Sequence, residues 1–118
     1  MEKLTVREEE VMELYWNNEA LFVRELVEKH PEPKPHFNTL STIVRGLEEK
    51  GFLSHHTLGN SHQYYAIISA HEYRNGKLKG VVSKYFDNSF LTAVSSLVKE
   101  EEISLEELKE LINKVENQ

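Results

Sequence analysis

The sequence predicts a mostly helical α+β protein that contains a single β-hairpin. Helix start signals and helically spaced apolar residues mark six segments of the 118-residue chain. One stretch near the middle instead carries aromatic and β-branched residues on both sides of a Gly-Asn turn, which is typical of a hairpin. Three helices precede this hairpin and three follow it. Three helices followed by a hairpin are the element order of a winged helix-turn-helix.

Composition limits both the size of the core and the available chemistry. The chain has 39% hydrophobic and 29% charged residues and a net charge of −6. That apolar fraction is too high for an intrinsically disordered chain, and a chain of this length holds one modest core or two small ones. The absence of cysteine excludes disulfides, thiolate metal sites and a cysteine nucleophile. Because no run of about 18 uncharged apolar residues occurs, we expect a cytoplasmic protein without membrane insertion.

The first two helices are marked by their start and stop signals. Thr5 and Glu8 form a capping-box pattern, which predicts helix one over residues 5–18. Helix two covers residues 22–29, and His30-Pro31 ends it because the residue before a proline avoids the helical region. All three prolines of the chain then follow within five residues, which predicts an extended turn.

The third helix has one apolar side and one polar side. It begins at His36 and is closed by Gly51, since glycine readily adopts the left-handed conformation of a helix cap. Its apolar side comprises Leu40, Ile43, Val44 and Leu47. Its opposite side comprises Asn38, Ser41, Thr42 and Arg45. One side therefore packs on a core, and the other is free to contact a partner.

The predicted hairpin follows directly after the third helix. Its arms are residues 52–57 and 63–67, and residues 58–62 between them contain the turn signal Gly59-Asn60. We expect this hairpin to be the wing of a winged helix-turn-helix DNA-binding domain that covers residues 1–70.

The fourth helix has a clear start but a weak middle. Ser69 and Glu72 form a second capping-box pattern, and the helix extends to about Asn88. Asn75-Gly76 and Gly80 lie inside it and lower its stability, so a break at these positions is an alternative.

Residues 71–118 are predicted to form a helical dimerisation domain. The fifth helix covers residues 90–99, and a third capping-box pattern, Ser104 with Glu107, opens the sixth. Both helices carry apolar stripes that so short a segment does not cover by itself. The residues expected between two chains are Phe90, Leu91, Val94, Leu97, Leu105, Leu108, Leu111, Ile112 and Val115.

The polar side of the third helix is the strongest functional signal. Asn, Ser and Thr are poor helix formers, and a helix face without a partner usually carries Glu, Lys and Gln instead. Short hydrogen-bonding side chains are typical of a recognition helix that reads base edges in the major groove. The acidic net charge argues against nucleic acid, but residues 34–64 contain Lys34, Arg45 and Lys50 against only two glutamates. The predicted contacts to double-stranded DNA are Asn38, Thr39, Ser41, Thr42, Arg45, Asn60, Ser61 and His62.

Neither a metal site nor a catalytic site is favoured. His55, His56 and His62 offer imidazoles on the hairpin, but adjacent strand residues point to opposite faces, so His55 and His56 do not bind one ion without distortion. The chain also lacks a glycine-rich phosphate loop and a zinc-protease motif. We therefore expect no enzyme activity and no cofactor.

Five stretches of the sequence resemble the penicillinase repressor family, which includes copper-responsive members. They are LTVREEEVMELYW, FVRELVE, NTLSTIVRGLEEKGFL, HQYYAI and LVKEEEISLEELKELINKV. The similarity extends over essentially the whole chain, and the combination is specific although each stretch alone is generic.

The resemblance implies a homodimeric repressor that binds a palindromic operator through its winged-helix domain. It also implies a membrane sensor metalloprotease as an indirect partner, whose signal leads to cleavage of an Asn-Phe bond in the penultimate helix. Ser96-Leu97 stands at the corresponding positions here, so the same cleavage is not expected. The cysteine motif of the copper-responsive members is absent. Gly46 stands where a basic residue is common, which predicts fewer phosphate contacts and a shallower salt dependence.

A second function, from a different class, is a winged-helix module that binds a protein partner through its acidic C-terminal helices. The net charge of −6 and the small basic patch favour it. If the purified protein does not shift its own promoter DNA at low salt, the protein-binding module is favoured over a repressor.

Overall fold

The computed structural model describes residues 2–117 and confirms the mostly helical α+β class. Within these residues the chain forms six helices and one antiparallel sheet of three strands. In chain order they are α1 (Val6–Trp16), β1 (Leu21–Phe22), α2 (Val23–Lys29), α3 (Phe37–Glu49), β2 (Leu53–Leu58), β3 (Ser61–Ala66), α4 (Ala70–Tyr85), α5 (Phe90–Lys99) and α6 (Leu105–Glu116). Two compact units result, the N-terminal unit Met1–Arg74 and the C-terminal unit Asn75–Gln118. No helix in the described part is both long and apolar enough to cross a bilayer.

Helix α1 begins at the capping box that the sequence predicts. The Thr5 hydroxyl accepts from the Glu8 amide at 3.2 Å, and the Glu8 carboxylate accepts from the Thr5 amide at 2.8 Å. The same carboxylate lies 2.7 Å from Lys50 Nζ, so one buried acid connects the start of α1 to the end of α3. Burial raises the pKa of Glu8, but the hydrogen bonds from Lys50 and Thr5 and the Lys50 charge outweigh burial, and the pKa is lowered.

The hydrophobic core of the N-terminal unit joins α1, α2, α3 and the sheet. Helix α3 enters it on the predicted side, with Leu40, Val44 and Leu47 each at most 1% exposed and Ile43 partly buried. The other buried members are Leu4, Val11, Met12, Tyr15, Leu21, Leu26, Phe52, Leu53, Tyr64 and Tyr73. Because this packing turns the apolar side of α3 toward the core, the polar side of the helix faces away from the core.

The sheet contains a strand that sequence reasoning missed. The predicted start of helix two at Phe22 is wrong, because Leu21 and Phe22 form β1. Leu21 pairs with Tyr64 of β3, and Phe22 pairs with Gln63. The Phe22 amide donates to Glu25 Oε1 at 2.9 Å, so the helix starts one residue later. A two-residue strand has no periodicity that a sequence pattern would reveal.

The wing is the hairpin of β2 and β3, and its turn is the predicted Gly59-Asn60. Leu58 pairs with Ser61, so both strands extend beyond the predicted arms as far as this turn. Gly59 has a φ of 63°, a left-handed conformation that favours glycine at the first position of a two-residue turn. Ser61 and His62 are therefore strand residues whose side chains point to opposite faces.

The first turn of α4 belongs to the N-terminal unit and packs on α1. The predicted capping box is present, with bonds of 3.0 and 3.3 Å between Ser69 and Glu72. The Tyr73 hydroxyl donates to Glu9 at 2.8 Å, and the Tyr73 ring lies 5.5 Å from the ring of Trp16. These contacts fix the point at which the chain leaves the N-terminal unit.

The C-terminal unit holds the rest of α4 together with α5 and α6. Helix α4 passes through Gly76 and Gly80 without a break, so the alternative of an interrupted helix is wrong. A glycine weakens a helix by about 1 kcal/mol but keeps the N–H that the backbone bond needs. Helix α6 starts at the predicted capping box of Ser104 and Glu107. Among the described residues of α5 and α6, none is buried.

Candidate nucleic-acid interface

The predicted contact residues of α3 differ in exposure. Asn38, Thr42 and Arg45 are exposed, whereas Thr39 and Ser41 are half-buried. Thr42 Oγ1 donates to the Asn38 carbonyl at 3.1 Å and lies 3.4 Å from Arg45 Nη2. A guanidinium carries five N–H donors, so this one long contact leaves donors on Arg45 for a ligand.

A cleft of about 370 Å³ lies between α3, the wing and the start of α2. This α3–wing cleft brings together five of the predicted residues, namely Ser41, Arg45, Asn60, Ser61 and His62. Phe22, Val23, Arg24, Phe37 and Tyr64 also line it. Two arginines thus share a concave surface with several neutral hydrogen-bonding groups, and these lining residues include no carboxylate.

The other predicted residues of α3 lie outside this cleft. Thr39 and Thr42 line a second, more open groove with Thr5 and Arg7 at the start of α1. Asn38 lies in the first turn of α3, where its backbone N–H donates to His36 Nδ1 at 3.1 Å. The structure therefore places five of the eight predicted residues in the α3–wing cleft and two in the second groove, and Asn38 lines neither.

Tyr64 connects the cleft to the hydrophobic core. Burial raises the pKa of the Tyr64 hydroxyl, the Glu48 charge raises it further, and the Arg45 charge opposes both. The hydroxyl is therefore protonated at neutral pH and available as a donor. Glu48 itself has a partner on β2, because its Oε2 lies 2.6 Å from His55 Nδ1.

The wing histidines divide between the two faces of the hairpin. The rings of His55 and His62 lie 4.2 Å apart, whereas His56 stacks on Tyr65 at 4.6 Å. His56 thus points away from the other two, as strand geometry predicts. Over residues 2–117, no three His, Asp or Glu side chains are grouped as metal ligands would be.

Sequence reasoning missed the contribution of the α2 start to the cleft. Arg24 is exposed in the first turn of α2, and its guanidinium carbon lies 4.3 Å from the centre of the Phe22 ring. Phe37 is a second missed residue, since it is 49% exposed at the start of α3. The signal for Arg24 in the sequence is an arginine two positions after the aromatic residue Phe22, at the start of the helix that precedes α3.

Comparison with known proteins identifies the family. The penicillinase repressor family model matches residues 4–117. The methicillin resistance regulatory proteins MecI of Staphylococcus aureus and of Staphylococcus epidermidis are each 25% identical over 116 residues, which cover 94% of this chain and 91% of the relative. The penicillinase repressor of Bacillus licheniformis is 24% identical over 107 residues, which cover 86% and 80%. All three names describe regulation or repression. Because the family model matches nearly the whole chain, this protein belongs to the penicillinase repressor family.

Proposed function

We propose that this protein is a sequence-specific transcriptional repressor that binds an inverted-repeat operator as a homodimer. The observation that carries the proposal is the α3–wing cleft, in which Arg45 and Ser41 of the recognition helix face polar residues of the wing. Such an arrangement suits a duplex whose major groove holds α3 while its backbone passes the wing.

Each predicted residue has a distinct role in this proposal. Asn38 and Ser41 read base edges, and Thr39 and Thr42 contact bases or the adjacent phosphates. Arg45 binds a guanine or a phosphate, as a planar guanidinium binds either in a bidentate manner. The proposed phosphate contacts of the wing are Asn60, Ser61 and His62.

Exposed apolar side chains support a homodimer through the C-terminal unit. In a single chain Leu91 is 84% exposed and Leu105 is 61% exposed, although both lie in apolar stripes. A second copy of the chain would bury such side chains, each contributing about 1.5–3 kcal/mol. The proposed interface comprises Phe90, Leu91, Val94, Leu97, Leu105, Leu108, Leu111, Ile112 and Val115. In the bound dimer the two recognition helices would lie about 34–36 Å apart, one turn of DNA.

We further propose that a signal from a membrane sensor protease relieves repression indirectly. The Ser96-Leu97 bond lies within α5, where the Glu100 amide donates to the Ser96 carbonyl at 3.0 Å. Proteolysis favours exposed loop tips, so cleavage of this bond requires local unwinding of α5. Relief therefore proceeds either through such unwinding or through another bond.

Binding of purified protein to its own promoter DNA tests the proposed function. We expect saturable binding at low salt by fluorescence anisotropy, and a loss of about 10- to 100-fold in affinity for Arg45→Ala, because a charge-assisted contact of its guanidinium, to a guanine or to a phosphate, is worth about 1.5–3 kcal/mol. The matched control is Lys29→Ala, which removes one positive charge from the last turn of α2.

Two outcomes would contradict the proposal in different ways. Absence of any DNA binding at low salt would favour the protein-binding module that the acidic charge allows. Retention of full affinity by Arg45→Ala across salt concentrations would remove Arg45 from the interface.

A further inference from the structure

The α3–wing cleft is lined by a positively charged side chain, Arg24, that has no role in the interface proposed above. Arg24 of α2 and Arg45 of α3 both line the cleft, and the lining residues include no acidic side chain. The chain as a whole carries a net charge of −6. The cleft lining is therefore positively charged although the protein is acidic. Two guanidinium groups without a neighbouring carboxylate in the lining favour an anionic ligand.

The Phe22 ring contacts the guanidinium group of Arg24. The guanidinium carbon lies 4.3 Å from the ring centre, which is within the range of a cation–π contact. Stacking of this kind occupies a face of the guanidinium and leaves the N–H groups at its edge for a ligand.

The backbone around Phe22 is fixed on both sides. Phe22 pairs with Gln63 in the sheet, and its amide donates to Glu25 Oε1 at 2.9 Å. The ring that contacts Arg24 is thus carried by a backbone segment that the sheet holds in place, and because the cation–π contact already restricts the arginine, Arg24 loses less side-chain freedom on binding than a free surface arginine would.

Given DNA binding as proposed above, we infer that Arg24 and Arg45 form a phosphate clamp across the cleft. The ligand is a backbone phosphodiester of the duplex whose major groove holds α3. Its oxygens accept hydrogen bonds from both guanidinium groups, and the Tyr64 and Ser61 hydroxyls line the same cleft. Arg24 therefore adds affinity that does not depend on base sequence, and α2 becomes part of the interface.

Salt-dependent binding of the Arg24→Ala variant tests the clamp. For both the selected operator duplex and a duplex without the site, we expect affinity to fall by a similar factor of about 5 at moderate salt. The slope of log affinity against log salt should fall by about 0.9, the value for one phosphate contact. Arg24→Lys should recover only part of the loss, because an ammonium does not bind in a bidentate manner.

The controls separate the clamp from general charge and from folding. Lys29→Ala removes one charge from the other end of the same helix and should leave the slope unchanged. Phe22→Leu keeps an apolar side chain but removes the ring, and we expect an affinity between those of the parent and Arg24→Ala. Thermal unfolding by circular dichroism verifies that each variant is folded.

Three results would overturn the clamp. If the parent binds DNA and Arg24→Ala keeps its affinity and slope, the clamp is wrong while the repressor proposal stands. If the parent binds no duplex, both fail. If inorganic phosphate alone saturates the parent in calorimetry and Arg24→Ala abolishes that binding without changing DNA affinity, the cleft holds a free anion and not a DNA phosphate.

Discussion

The two units of this chain use apolar residues in opposite ways. In the N-terminal unit, α1, α2, α3 and the sheet bury a common core, with Met12, Leu26 and Leu47 fully enclosed. In the C-terminal unit, α5 and α6 have apolar stripes of similar regularity, yet none of their described residues is buried. The first unit thus has a large core within one chain, whereas Val82 of α4 is the one apolar side chain that is buried among the described residues of the second.

This difference indicates what each unit requires. A helix acquires most of its stability from packing of its apolar face rather than from intrinsic propensity. The N-terminal unit meets that requirement alone, and its polar surface on α3 remains free for the proposed contact with DNA. In the proposed homodimer the C-terminal unit meets the requirement through a second copy, so the comparison predicts that folding of one unit and association of the other respond to different substitutions.

The largest expected effect is on association. Leu111→Asp places a charge in the proposed interface of both copies, and two large side chains worth about 1.5–3 kcal/mol each are lost. Sedimentation equilibrium should show dimer affinity lower by on the order of 10²- to 10⁴-fold. The matched control is Asn113→Asp, which adds the same charge on the polar side of α6. A Leu111→Asp variant that remains dimeric would place the interface elsewhere.

The next largest effect is on the core of the N-terminal unit. Leu47 is fully buried, and Leu47→Ala should lower the free energy of unfolding by about 2–5 kcal/mol because a cavity remains. Urea unfolding measures this loss, which should not depend on protein concentration. Leu58→Ala in the wing is the control, since Leu58 is 51% exposed and should change stability little. Equal losses for the two variants would contradict the described core.

The capping boxes of α1 and α6 should differ in their contribution to acid stability. The pKa of Glu8 is lowered in the folded protein, so its stabilisation is present above the usual value of 4.5 and is lost as pH falls through the folded pKa. Glu8→Gln should therefore lower stability by roughly 1 kcal/mol at neutral pH and should match the parent at low pH.

Glu107 provides the comparison from the C-terminal unit. Its pKa is lowered by hydrogen bonds from Ser104, but the side chain is exposed and, over residues 2–117, forms no ion pair like that of Glu8 with Lys50. Chemical unfolding between pH 7 and pH 3 should show a smaller change for Glu107→Gln than for Glu8→Gln. An unchanged acid limb in Glu8→Gln would show that the Lys50 pair does not stabilise the fold.

Two glycines carry opposite expectations for stability. A Cβ at Gly80 of α4 meets no atom within 4 Å, so Gly80→Ala should stabilise the helix by about 0.5–1 kcal/mol. Gly51 has a φ of +83°, and Gly51→Ala should destabilise the N-terminal unit by about 1–2 kcal/mol. The two substitutions should move the midpoint of thermal unfolding in opposite directions. A shift in the same direction would contradict the backbone conformation described at one of the two glycines.

Periodic and capped features could be predicted from the sequence because their signals are local. The capping boxes at Thr5, Ser69 and Ser104 and the packing side of α3 all depend on residues within one or two turns. The exposed apolar residues Leu78, Val81 and Tyr85 of α4 also recur at helical spacing, so the same local signal predicts an apolar stripe on α4.

Tertiary features could not be predicted in the same way. Strand β1 is only two residues long and exists because Tyr64 and Gln63 of a distant strand pair with it. The presence of Arg24 and Arg45 in one cleft likewise depends on how α2, α3 and the wing meet. Local patterns identify helices and faces, whereas the cleft between elements becomes visible only when the elements are assembled.

Selection of duplexes from a random pool tests the central claim most directly. Protein at moderate salt is mixed with the pool, and the bound fraction is sequenced. A dimer that presents two recognition helices should recover an inverted repeat whose half-site centres lie about 10 base pairs, or a multiple of that turn, apart. Recovery of a single unpaired half-site would contradict the homodimer, and recovery of no sequence at all would contradict the repressor.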